Sequence, residues 1–63
     1  MKNGLTLKEL YEWRQLISDT LELASEKYET ENNTFVRASY KIMIEEATYQ
    51  LILMERLIEQ ARS

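Results

Sequence analysis

Between Leu5 and Ser63 the chain contains neither glycine nor proline; its one glycine is Gly4. These two residues are the main interrupters of regular backbone, so long helices are the default for such a chain. The one stretch with turn chemistry is Thr30-Glu31-Asn32-Asn33-Thr34, where an Asn or Thr side-chain oxygen can cap a following helix. Thr6-Leu7-Lys8-Glu9 is a capping box directly before an apolar-periodic run. The pattern predicts one domain over 1–63, with a first helix at about 6–29, a turn at about 30–34 and a second helix at about 34–61. Two helices of similar length joined by so short a turn fold back on each other, giving an all-α antiparallel hairpin.

The apolar spacing excludes strands. Leu10, Trp13, Ile17, Leu21, Ala24 and Tyr28 recur at intervals of three and four, not two. With Leu7 they form the stripe of the first helix, which Leu5, Leu16 and Leu23 widen along one flank. On the second helix Val36, Tyr40, Met43, Ala47, Leu51, Met54, Ile58 and Ala61 follow an almost unbroken alternation of three and four, the seam of a helical bundle. The expected hairpin core is therefore Leu10, Trp13, Ile17, Leu21, Ala24 and Tyr28 against Val36, Tyr40, Met43, Ala47, Leu51, Met54 and Ile58, with Trp13, at the edge of its stripe, alternatively an anchor for a partner.

The second helix carries more apolar surface than one neighbour can cover. Phe35, Ile42 and Tyr49 recur every seven residues on another side, with Leu53 and Leu57 beside them; Ile44 and Ile52 widen the coverage. A two-helix hairpin buries only one of the two series. The remaining series, Phe35, Ile42, Tyr49, Leu53 and Leu57, is expected to form the interface of a homodimer, two hairpins making a four-helix bundle. Size points the same way. A chain of 63 residues buries only about 60% of its unfolded surface and usually needs a staple. There is no Cys and no His, so disulfides and the commonest zinc ligands fall away together. Association remains.

Polar residues interrupt these arcs. Ser39, Glu46 and Gln50 run between the two series of the second helix, and Arg14 sits within the stripe of the first. Folding back near Asn32 sets residue 14 roughly opposite residue 50. Arg14 is thus expected to pair with Glu46 or Gln50, within or across chains, a buried polar contact that fixes register, because an isolated buried charge is strongly unfavourable.

No reaction chemistry is legible. Without His or Cys no ordinary nucleophile–base pair can be assembled, and there is no Gly-rich phosphate cradle. Glu9-x-x-Glu12 and Glu26-x-x-Glu29 come nearest to di-iron spacing, and neither has the required His. No catalytic, cofactor or metal site is expected. Net charge is −3, with seven acids against four bases through Glu31 and four against four beyond it. That balance disfavours a general nucleic-acid binder. It also puts an acidic surface on the outside of the first helix, where Asp19, Glu22, Glu26 and Glu29, with Tyr11 nearby, are the candidate contact for a basic partner protein.

The sequence therefore reads as a non-enzymatic interaction protein, a small dimeric helical regulator or inhibitor of another protein. One alternative is a nucleic-acid-linked helical dimer using Lys8, Arg37, Lys41 and Arg56; another is a structural subunit of a larger assembly. Met1 to Thr6 has no apolar signal region, and no uncharged run approaches the roughly 20 residues of a membrane span, so a cytoplasmic location without membrane contact is expected.

Overall fold

The computed structural model describes residues 6–63, folded as α1, Leu7–Thr30, and α2, Thr34–Arg62. Leu5, placed by spacing on the flank of the first helix, lies outside the described residues, as does the segment Met1 to Gly4. The capping box forms in full. Thr6 is extended, its hydroxyl oxygen accepts from the Glu9 N–H at 3.2 Å, and the Glu9 carboxylate accepts from the Thr6 N–H at 2.8 Å. Donors left over at the helix start are thereby satisfied.

Only Glu31, Asn32 and Asn33 join the helices, a shorter link than the spacing predicts. Glu31 and Asn33 are both extended, which ends one helix and starts the next. The Glu31 N–H donates to the Lys27 carbonyl at 2.9 Å, and the Asn33 side chain accepts from the N–H groups of Phe35 and Val36 at 3.0 and 3.1 Å. The Glu31 carboxylate accepts from the Asn33 N–H at 3.1 Å. Arg37 then reaches back across the turn. Its Nε donates to the Tyr28 carbonyl at 3.0 Å, and its guanidinium lies 4.4 Å from the centroid of the Tyr28 ring. The first turn of α2 thus satisfies a carbonyl in the last turn of α1, which has no acceptor role within its own helix.

The result is an antiparallel pair with extents of 49 × 17 × 14 Å. Its core is a single line of contact. Leu10 and Ile17 of α1 are buried against Ala47, Met54 and Ile58 of α2, with Leu7, Leu21 and Leu51 packed partly buried around them, and Ala24, seven residues beyond Ile17, is buried nearer the turn. The small side chains of Ala24 and Ala47 let the backbones approach closely, while the four larger residues carry most of the burial energy, roughly 1.5–3 kcal/mol each at most. Tyr28 and Tyr40, also expected in this core, are half-buried.

Three expected core residues are corrected. Trp13, Val36 and Met43 stand exposed, Trp13 at 48%. Two cylinders touch along a narrow stripe, and residues at its edge are covered only when a third or fourth helix packs beside them. The expected buried polar contact is corrected too. No polar side chain among the described residues is buried, and Arg14 bonds Glu55 at 3.0 Å, not Glu46 or Gln50. The reason is the flank each residue occupies, together with side-chain direction: Glu46 and Gln50 lie on the Trp13 side of the buried line and Arg14 and Glu55 on the other. Helical side chains lean toward their own N-terminus, so Arg14 and Glu55 on antiparallel helices lean toward each other, beyond the partner that level counting assigns.

Candidate interaction face

The buried line divides the hairpin into two sides of different chemistry. Trp13 and Arg14 are consecutive, hence about 100° apart around α1, and they fall on either side of it. Trp13, Leu16, Ile17 and Thr20 of α1 face Met43, Glu46, Ala47 and Gln50 of α2 across a groove of about 320 Å³. The groove is open, and its apolar rim is exposed; Leu16 is 66% accessible. Leu23 on α1 and Leu53 and Leu57 on α2 extend the same side along the molecule, all exposed. Farther round α2 stand Phe35, Ile42 and Tyr49, the first of them 86% exposed. All five residues expected at a dimer interface thus lie outside the hairpin contact, and Trp13, Leu16 and Met43 adjoin them.

This width was not evident from periodicity. Reading each helix alone assigned Trp13 and Met43 to the core. The signal that separates them is their place at the edge of the stripe: each lies one turn from an alanine or isoleucine that occupies its centre.

The other side is polar and self-satisfied. Arg14 bonds Glu55 and lies 5.2 Å from the Tyr11 ring centroid, while Arg37 holds Tyr28 near the turn. The Arg14 and Glu55 side chains are 38% and 60% accessible, so their pair contributes about 0–1 kcal/mol. Ile52, one turn before Glu55, is the exposed aliphatic residue there.

The candidate acidic surface occupies the outside of α1. Asp19, Glu22, Glu26 and Glu29 are exposed, and Asp19 accepts from Gln15 at 2.9 Å. Tyr11 is engaged with Arg14 on the polar side. Within one chain the cations of the nucleic-acid alternative do not form one patch. Arg37 and Lys41 line a pocket at the turn with Glu29 and Glu31, whereas Lys8 and Arg56 lie toward the other end; positions 41 and 56 are roughly 22 Å apart along α2. No helix among the described residues is long and apolar enough to cross a membrane. Comparison with known proteins finds no matching family model, no matching curated protein and no matching solved structure.

Proposed function

We propose that this chain is a non-enzymatic interaction module: a hairpin that pairs with a second copy as a four-helix bundle and acts as a small regulator or inhibitor of another protein. The observation that carries the reading is the apolar side spanning both helices, from Trp13, Leu16 and Leu23 to Met43, Leu53 and Leu57. Soluble monomers rarely expose contiguous apolar patches beyond a few hundred Å². The area agrees. A compact monomer of 7.5 kDa exposes roughly 4,250 Å² by mass scaling. This hairpin exposes 5292 Å². The excess follows from the open 49 × 17 × 14 Å shape, which leaves each helix with only one neighbour.

Covering that side leaves the acidic outside of α1 as the surface offered to other molecules, suited to a basic protein face. Sedimentation equilibrium tests the first part, with a mass of twice 7.5 kDa expected at micromolar concentration. A fully helical monomer at every concentration would remove it. The second part is tested by comparing what the chain captures from host extract with what a variant neutralised at Asp19, Glu22, Glu26 and Glu29 captures. A specific, salt-sensitive partner lost by the variant is expected; equal capture by both rejects the acidic surface.

A further inference from the structure

Two hairpins can meet through this side about a two-fold axis in two ways. With the axis along the helices, α1 of one copy covers α2 of the other, and both turns lie at one end. With the axis across the helices, α2 covers α2 and α1 covers α1, each antiparallel, and the turns lie at opposite ends. A two-fold interface must be self-complementary: if residue i meets residue j, then j meets i. Two observations separate the arrangements.

The first is the symmetry of α2. Along its groove edge run Met43, Glu46, Gln50 and Leu53, which pair off about position 48. The helix itself, Thr34–Arg62, is centred on the same residue, Thr48. Full antiparallel overlap of two α2 helices therefore sets Met43 against Leu53 of the second copy and Glu46 against its Gln50, each contact made twice. On α1 the same axis passes near Leu16, which then meets its own copy beside Trp13. The most exposed leucine of the hairpin becomes the centre of the interface.

The second observation is the supply of donors. A carboxylate taken from water needs hydrogen-bond donors. Gln50 carries two amide N–H donors, and among the described residues its side chain makes no hydrogen bond within the chain. In the other arrangement the group brought to Glu46 is Thr20 of the second copy, near its level across the groove. The Thr20 hydroxyl has one proton and already donates it to the Leu16 carbonyl at 2.9 Å. That arrangement brings Glu46 no donor from the second copy and leaves it only the Gln50 amide one turn along its own helix.

We propose that the occupant of the groove is a second copy of this chain, with α2 antiparallel to α2 about Thr48 and locked by two reciprocal Gln50-to-Glu46 hydrogen bonds. The inference rests on the self-association proposed above and adds its geometry. A polar pair in an apolar seam excludes shifted registers, as a single buried Asn does in coiled coils.

The absence of Cys makes the test direct, because Asn32→Cys introduces one exposed labelling site at the turn. The distance between two spin labels is then read by pulsed electron resonance on the full chain. Turns at opposite ends give a separation near the 49 Å length of the molecule. Turns at one end give roughly 20 Å, the width of a bundle whose neighbouring axes are 8–10 Å apart. A dimer with the short distance overturns this arrangement while leaving self-association intact; a monomer overturns the self-association beneath it. Gln50→Leu should weaken the dimer about tenfold or more by orphaning two carboxylates, and Glu46→Gln should preserve it within about threefold. An unchanged dissociation constant for Gln50→Leu would show that the lock does not exist.

Discussion

The two sides of the hairpin flank the same buried line, yet they solve the problem of exposure differently. On the Arg14 side, charged and aromatic groups satisfy one another: Arg14 with Glu55 and Tyr11, Arg37 with Tyr28. On the Trp13 side leucines, a methionine and a tryptophan, which gain nothing from water, surround Thr20, Glu46 and Gln50. One side is satisfied within a single chain, and the other leaves its apolar side chains open to solvent. Helical propensity and capping are shared by both sides, so the difference lies wholly in what each flank presents.

Substitutions at the two sides should therefore differ in kind. The largest effect is expected from Ile42→Glu combined with Leu53→Glu, which puts two carboxylates on the association side of α2. Dimer mass should vanish, and most helical circular dichroism should go with it at micromolar concentration, since the hairpin alone is marginal. A folded, stable monomer would break the link between folding and assembly. Trp13→Ala comes next. A buried interface tryptophan is commonly worth 2 kcal/mol or more, so the dissociation constant should rise roughly thirtyfold; no change in sedimentation would place Trp13 outside the interface.

Smaller effects belong to the polar side. Arg37→Met removes a carbonyl cap and a cation–π contact, and should lower stability by about 1 kcal/mol in denaturant titration without altering the oligomer. A change of oligomeric state would show that the turn takes part in assembly. Arg14→Met should be smallest, within about 0.5 kcal/mol, because both members of its ion pair are well solvated. A loss several times larger would mean that Arg14 is covered in the assembled protein.

Much of the fold was readable from residues alone, for local reasons. Thr6 and Glu9 announced the first helix, Asn33 the second, and the spacing of Leu10, Ile17 and Ala24 marked the buried line. These signals depend on backbone donors and a 3.6-residue period, which sequence carries directly. The side of the hairpin that contacts Trp13 was less readable. Periodicity says which residues share a face, but the width of face that a neighbour covers depends on how many helices pack there. Val36, Trp13 and Met43 were misplaced for that reason. Counting residues from the turn gives the level of Arg14 but not its flank: Glu46 and Gln50 lie across the buried line from it, while Glu55 shares its side and leans toward it.

The three-residue link also has a kinetic consequence. With Glu31, Asn32 and Asn33 closed by their own hydrogen bonds, little loop entropy opposes bringing α1 onto α2, and contact can spread from the turn toward the distant Leu10 and Ile58 end. Hairpin closure should then be fast and independent of concentration. Any slow phase in refolding that accelerates with protein concentration reports the meeting of two chains, and its rate measures how often two open grooves find each other.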